Sequence, residues 1–164
     1  MVRILVATDF SEENRPVLDY AADMVRQCGG KLYLLHAVEP CMIDAAGALG
    51  EADLSSFIPG TEATFRPEMS ECAQMLAQAD ARAKKLGEEL RGRWSIPVYA
   101  KAEEADDIVD CVNDFCKRHA IDTLVIGNRH HSLLTSILLG NTAEKLMRAA
   151  RIPVTVVPCG PKAQ

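Results

Sequence analysis

Short apolar runs alternate with amphipathic stretches along this chain, and this alternation limits the possible folds more than any other feature. Runs rich in Val, Ile and Leu predict five β-strands, at 3–8, 32–38, 98–102, 123–126 and 154–157. Apolar residues at helical spacing predict helices that begin near 11, 68, 106 and 141. Strands joined in this way run parallel through right-handed crossovers. The sequence therefore predicts an α/β domain built on a parallel sheet.

Residues of particular types mark the ends of these elements. Ser11 is a residue type that caps helices, and the pair Gly29 and Gly30 is expected to end the first helix. Pro153 and Pro158 flank the last strand. Because proline removes a ladder donor, this strand is predicted to lie at an edge of the sheet.

The chain is long enough for one buried core and too short for two ordinary domains. It has 164 residues, of which 48% are hydrophobic, so residues 1–164 are predicted to form a single domain. The segment 39–66 lacks a sustained hydrophobic period, and Gly47, Gly50, Pro59 and Gly60 interrupt regular structure within it. We interpret it as an ordered insertion or lid.

Charge and cysteine usage restrict the partners and the compartment. The chain has 18 basic and 23 acidic residues, and its net charge of −5 disfavours binding to nucleic acid or to an anionic membrane. The first apolar run stops at Asp9, which fits neither a signal peptide nor a membrane span. The six cysteines lack CxxC spacing. A soluble, cytoplasmic protein with reduced thiols is expected.

Small and polar residues stand at the predicted carboxyl ends of the strands, where an open parallel sheet binds its ligands. The positions to inspect are Thr8, Asp9, Val38, Ala102 and Gly127. Of these, Gly127 is the most informative, because a second glycine follows it just before a helix begins.

The segment that follows Gly127 is a candidate phosphate site. A glycine lets the backbone approach a ligand, and Gly140, Asn141 and Thr142 can present amides and short polar side chains to an anion. Arg129 can add a positive charge. Residue types alone favour the simpler interpretation, in which these residues form only a turn and a helix cap.

Three segments change that balance. VRILVATDFSEENRPVLDYA, KLYLLHAV and DTLVIGNRHHSLLTSILLGNTAEKLMRAARIPVTVVP occur in the same order as in the universal stress protein family, which the chain resembles outside 39–66. The resemblance implies a doubly wound, five-stranded α/β/α sandwich, which is Rossmann-like and of the adenine-nucleotide alpha-hydrolase-like type. It also implies a homodimer paired through the last strand, and ATP or AMP as the ligand, with or without Mg²⁺. Some members of the family bind no nucleotide.

The family's nucleotide signature is a glycine, two residues, a second glycine, nine residues, and a third glycine followed by serine or threonine. Gly127 matches the first glycine and Gly140 the third. His130 replaces the second glycine and can narrow the phosphate pocket, while Asn141 replaces the serine or threonine and still caps a helix. We therefore expect AMP to compete well against ATP.

The resemblance also assigns residues to the nucleoside. Asp9 matches an acidic residue that meets adenine or ribose, and Val38 matches a position whose backbone meets adenine. The sequence Ala102-Glu103-Glu104 replaces a Gly-x-Pro motif and is expected to bring carboxylates near the phosphates. The predicted nucleotide site comprises Thr8, Asp9, Val38, Gly127, Arg129, His130, Gly140, Asn141 and Thr142.

Other polar clusters have simpler explanations. His130 and His131 are adjacent and therefore point apart, so no metal site is predicted. His36 is expected to be a hydrogen-bonded core residue, and His119 suits a helix C-terminus. Cys111 and Cys116 lie on different faces of one helix, which indicates packing rather than redox chemistry.

Three functions remain open at this point. The leading hypothesis is a regulatory domain of the stress response that binds ATP or AMP and is not an enzyme. The alternative is a nucleotide-free dimerisation and protein-interaction module whose recognition surface is 39–66. A third is slow, Mg²⁺-dependent nucleotide hydrolysis, although the chain has no GxxxxGK[ST], GxSxG or HExxH motif.

Overall fold

A computed structural model describes residues 1–40, 67–129 and 141–159. These ranges contain one sheet of five parallel strands: β1 (Val2–Ala7), β2 (Gly30–Val38), β3 (Val98–Glu104), β4 (Thr123–Arg129) and β5 (Val154–Cys159). The strand order is β3-β2-β1-β4-β5. Both β2 and β4 pair with β1, so the winding of the sheet reverses beside β1.

Helices cover both faces of this sheet. They are α1 (Arg15–Cys28), α2 (Pro67–Trp94), α3 (Ile108–His119) and α4 (Asn141–Ala149), and a short 3₁₀ turn at Glu12–Asn14 precedes α1. One apolar core joins α1 and α2 to the sheet, and a second core joins α3 and α4 to its other face. The predicted doubly wound, three-layer α/β/α sandwich is confirmed.

Four strands, β2 to β5, are longer than the sequence predicts, and the extra residues of β4 and β3 bear on the candidate site. β4 continues through Arg129, because Gly127, Asn128 and Arg129 remain paired with β5. β3 continues through Glu104, which pairs with Val38 at the end of β2. The candidate phosphate segment after Gly127 therefore begins as strand.

The predicted ends of α1 are half correct. Ser11 makes no side-chain capping bond, and its backbone N–H instead donates to Oδ1 of Asp9 over 3.1 Å. At the other end, Gly29 adopts φ +69° and its N–H donates to the carbonyl of Val25. Glycine reaches this conformation at little cost, so the helix ends there as expected.

β5 is an edge strand, as its prolines predict. In a parallel ladder alternate residues turn both backbone groups toward the same neighbour. The N–H of Leu124 donates to the carbonyl of Pro153, and this register turns Thr155 and Val157 toward β4. Pro158 therefore faces the open edge, where it removes no ladder bond.

The cysteines follow the prediction only in part. Cys28, Cys111 and Cys116 carry free thiols, whereas Cys72 on α2 is disulfide-bonded. None of the described helices combines the length and the hydropathy that crossing a bilayer requires. Nearly all of the insertion predicted at 39–66 lies outside the described residues, so its form stays a prediction.

Candidate functional site

A cavity of about 460 Å³ opens at the carboxyl ends of β1 and β4, beside the point where the winding reverses. This is the place where open α/β sheets bind their ligands. One wall is apolar and is formed by Leu35, Ile108, Val112, Ile126, Ala143 and Leu146. The polar residues that border it are Thr8, Asp9, Asn14, His36 and Thr142.

The carboxylate of Asp9 is fixed by two donors. Nδ2 of Asn14 donates to Oδ1 over 2.5 Å, and the N–H of Ser11 donates to the same oxygen over 3.1 Å. Asn14 itself is buried, with 6% of its surface exposed. The 3₁₀ turn before α1 thus supplies a rigid support for the one carboxylate that borders the described part of the cavity.

The chain between β1 and α1 is held in an unusual conformation. Thr8 is bonded to β2 twice: its N–H donates to the carbonyl of Leu35, and its carbonyl oxygen lies 2.7 Å from Nδ1 of His36. Its hydroxyl accepts a bond from the N–H of Phe10. Phe10 has φ +61°, which a residue with a side chain adopts only at a cost.

Gly127 is required by packing as well as by the cavity that it borders. A Cβ atom at this position would lie 2.7 Å from Sγ of Cys159 and 2.8 Å from Oδ1 of Asn14. Any larger residue would displace the side chain that holds Asp9. The glycine that the sequence marks as a ligand contact therefore also protects the geometry of the carboxylate.

The structure brings together four of the nine predicted site residues: Thr8, Asp9, Gly127 and Thr142 border one cavity. Val38 does not border this cavity, whereas the preceding residue of β2, Ala37, does. The carbonyl of Val38 is already engaged, because it accepts a bond from the N–H of Ala105.

The remaining predicted residues surround the gap in the described chain. The backbone of Arg129 ends β4 and that of Asn141 begins α4. His130 and Gly140 lie outside the described residues, so their assignment to the phosphates stays a prediction.

Sequence analysis missed Asn14 and Ala37 as site residues, and it assigned His36 only to the core. The expected hydrogen bond of His36 is present, but its partner is the loop that carries Asp9. For Asn14 and His36 the sequence did contain a signal. Asn14 is a polar residue at a helix start five residues after Asp9, and His36 is a polar residue within an apolar strand.

The carboxylates expected near the phosphates lie elsewhere. Neither Glu103 nor Glu104 borders the cavity, and both line a separate surface depression between β3 and α3. Both carboxylate oxygens of Glu103 accept bonds from Arg118, and Lys101 approaches within 3.5 Å. These bonds, above all those from Arg118, lower the pKa of Glu103. Its charge is therefore neutralised locally.

The described border of the cavity contains Asp9 as its carboxylate and no lysine or arginine. Among the described residues, no group of three or more His, Cys, Asp or Glu side chains is arranged to hold a metal ion. What the described residues offer is an apolar wall with a fixed hydrogen-bond acceptor, an arrangement that suits a planar base and a sugar hydroxyl.

Known proteins resemble this chain in sequence and in fold. The curated universal stress protein MJ0531 of Methanocaldococcus jannaschii is 24% identical over 158 residues, which cover 94% of this chain and 81% of the relative. A solved universal stress protein in complex with cAMP matches with a TM-score of 0.63 at 16% identity, over 97% of this chain and 98% of that one. The universal stress protein of Archaeoglobus fulgidus in complex with dAMP matches with a TM-score of 0.52 at 20% identity, over 98% of each chain.

The model of the universal stress protein family matches residues 1–158, which is nearly the whole chain. This match agrees with the sheet order, the two helical layers and the cavity at the reversal point described above. The chain therefore belongs to the universal stress protein family.

Proposed function

We propose that this chain is a cytoplasmic regulatory domain of the stress response that binds an adenine nucleotide, ATP or AMP, in the cavity between β1 and β4. The observation that carries the proposal is the pairing of an apolar wall with the fixed carboxylate of Asp9. A cavity of about 460 Å³ is within the range of small-molecule sites. Solved relatives with cAMP and with dAMP support the choice of an adenine nucleotide.

In this proposal the two ends of the nucleotide meet different parts of the site. The base packs on the apolar wall beside the backbone of Ala37, and Asp9 accepts a hydrogen bond from the base or the ribose. The phosphates lie at the N-terminus of α4, near Asn141 and Thr142, where helix amides and the helix dipole favour an anion. Arg129, His130 and Gly140 complete the phosphate end, as the sequence predicts.

Regulation rather than catalysis is the role that fits this arrangement. The described border of the cavity supplies one carboxylate, Asp9, which already accepts bonds from two donors. The described residues contain no cluster of side chains that could hold a metal. We therefore propose that occupancy of the site is the signal, and that any hydrolysis of ATP is slow.

Titration calorimetry of AMP and ATP, with and without Mg²⁺, tests the proposal on protein from which co-purified ligands have been removed and identified by mass spectrometry. We expect micromolar binding that Asp9→Asn weakens at least about tenfold, since it removes a charged acceptor. Asp114→Asn, an exposed acid on α3 away from the cavity, is the matched control and should bind normally. Absence of both heat and co-purified nucleotide would favour the interaction module instead.

We also propose that two copies pair through β5. Its backbone groups at Val154 and Val156 face the open edge, by the same register that turns Thr155 toward β4. Both valines are only half-buried in the single chain. An edge of this kind is a template for strand pairing.

Val156→Pro tests this pairing because it removes an outward N–H and leaves the ladder to β4 intact. Sedimentation velocity should show a dimer for the natural sequence and a monomer for the variant. A circular dichroism spectrum that matches the natural protein is the control for folding. A variant that is folded and still dimeric would place the interface elsewhere.

A further inference from the structure

His36 links β2 to the loop that carries Asp9. Its Nδ1 atom lies 2.7 Å from the carbonyl oxygen of Thr8, which is the residue before Asp9. Its ring contacts the ring of Phe10, which is the residue after Asp9, with 4.4 Å between centroids. A single side chain thus contacts both neighbours of the carboxylate.

The chemistry of the bond to Thr8 fixes the role of the ring. A carbonyl oxygen can only accept a hydrogen bond, so Nδ1 must carry the proton and donate. The bond is short, and Thr8 is buried with 6% of its surface exposed. Water therefore competes poorly for this carbonyl, and the ring is a firm anchor for the end of β1.

The direction of the side chain separates His36 from direct contact with the apolar wall. Alternate side chains of a strand point to the same face, so His36 shares the face of Leu34, which packs with α1 and α2. The apolar wall of the cavity belongs to the opposite face, where Leu35 packs with α3 and α4. His36 therefore borders the cavity away from this wall, and its contacts with Thr8 and Phe10 connect it to Asp9.

The backbone of Phe10 shows what this anchor opposes. A φ of +61° is unfavourable for a residue with a side chain and persists only where several contacts impose it. Here the contacts are the ring of His36 and the bond from the N–H of Phe10 to the hydroxyl of Thr8. Without them the loop is expected to relax and to move Asp9.

We propose that His36 is a positioning residue: through Thr8 and Phe10 it holds Asp9 where a bound adenine nucleotide meets it. This inference rests on the nucleotide site proposed above. It predicts that the Nδ1–H donor supplies most of the effect and that the ring contact with Phe10 supplies the rest. It also predicts that removing the donor matters for binding only while Asp9 is present.

Two substitutions separate these requirements. In His36→Asn the side-chain amide places its NH₂ group where Nδ1 stands, so the bond to Thr8 can form again, whereas His36→Leu keeps bulk and removes the donor. We expect His36→Leu to weaken AMP binding about tenfold, as for loss of one buried hydrogen bond, and His36→Asn to restore most of it. In the Asp9→Asn background, His36→Leu should change the affinity less than twofold, because the two residues act as one unit.

Amide hydrogen exchange supplies a test that needs no nucleotide. The N–H of Ser11, which donates to Asp9, should exchange at least about tenfold faster in His36→Leu and near the natural rate in His36→Asn. Thermal unfolding of both variants identifies any general loss of stability. If the natural protein binds no AMP but the exchange pattern appears, the proposed function fails while the anchoring role stands. Unchanged exchange at Ser11, or additive losses of affinity with Asp9→Asn, would overturn the role of His36.

Discussion

The carboxylate of Asp80 on α2 accepts a hydrogen bond from the backbone N–H of Ala102 on β3, over 3.1 Å. In the register of β2 and β3, the backbone groups of Tyr99 and Lys101 point toward β2. Those of Ala102 alternate with them, so its N–H points away from β2. Arg91, three turns further along α2, donates to the outward carbonyl of Val98 over 2.9 Å. Side chains of α2 therefore occupy the free edge of β3, while the edge of β5 has no such cover among the described residues.

Loss of Asp80 should destabilise the protein in a pH-dependent way. The pKa of Asp80 lies below its usual value of 3.8. The hydrogen bond from Lys84 lowers it most, and the bond from the N–H of Ala102 lowers it further. A carboxylate with a lowered pKa stabilises the fold fully above that usual value, and its contribution is lost as the pH falls through the lower, folded value. We expect Asp80→Ala to lower the free energy of unfolding by about 1–2 kcal/mol at pH 7 and by progressively less as the pH falls below 3.8.

Urea unfolding at a series of pH values measures this difference. Glu144→Ala is the matched control, since Glu144 pairs with Arg148 on an exposed face of α4. Such a pair contributes about 0.3–0.5 kcal/mol, so the control should change stability little at any pH. A difference between Asp80→Ala and the natural protein that stays constant from pH 7 to pH 2 would contradict the assignment.

Most of the sheet and its layers could be predicted from local sequence because both depend on local periodicity. Buried parallel strands are continuous apolar runs, and the helices that cover them have one apolar stripe. The spacing of apolar residues in each segment was therefore enough to identify it as a strand or a helix. Strand ends were predicted less well. The extension of β4 to Arg129 depends on pairing with β5, a contact 30 residues away that no local pattern records.

The candidate site divides in the same way. Asp9 and Gly127 were predicted as site residues because each stands next to the end of a strand that the sequence predicts. The roles of Asn14 and His36 were harder to predict. Each is a polar residue that stands out in the local sequence, but its hydrogen-bond partner is set only by the folded structure. The pairing of Glu103 could not be predicted for a similar reason: its partner Arg118 is 15 residues away in the chain.

Glu103→Gln should therefore leave nucleotide affinity unchanged. The carboxylate lies outside the cavity and is neutralised by Arg118 and Lys101. We expect the affinities of AMP and ATP to stay within about twofold of the natural values, and stability to fall by about 1 kcal/mol as a charged hydrogen bond is lost. Calorimetry and thermal unfolding give the two readings. A tightening of ATP binding alone, by tenfold or more, would show that this charge does reach the phosphates.

The cysteines should differ sharply in reactivity. Burial raises the pKa of Cys116 to about 11, so very little thiolate is present at pH 8. Cys28 lies exposed at the end of α1. We expect iodoacetamide at pH 8 to modify Cys28 in the folded protein and Cys116 only after unfolding in urea, with peptide mass spectrometry as the measurement. Equal labelling of both thiols in the folded protein would show that α3 opens readily.

Gly127→Ala should damage both the fold and the site. The added Cβ would lie 2.7 Å from Sγ of Cys159, 2.8 Å from Oδ1 of Asn14 and 3.1 Å from Cγ2 of Val17. Overpacking of this kind costs about 1–3 kcal/mol, and a shift of Asn14 removes a donor from Asp9. We expect a lower melting temperature and weaker AMP binding in the same variant.

Gly92→Ala is the control for replacing a glycine as such. Apart from its chain neighbours and the backbone of α2, no atom lies within 4 Å of a Cβ at Gly92, which is exposed. This change should therefore stabilise the protein by about 0.5–1 kcal/mol. Adding Cys159→Ala to Gly127→Ala should recover part of the stability, because it removes the nearest of the three contacts, but not the affinity, because the contact with Asn14 remains. Full recovery of both would mean that the sulfur of Cys159 alone excludes a side chain at this position, and that Asn14 can move without cost to Asp9.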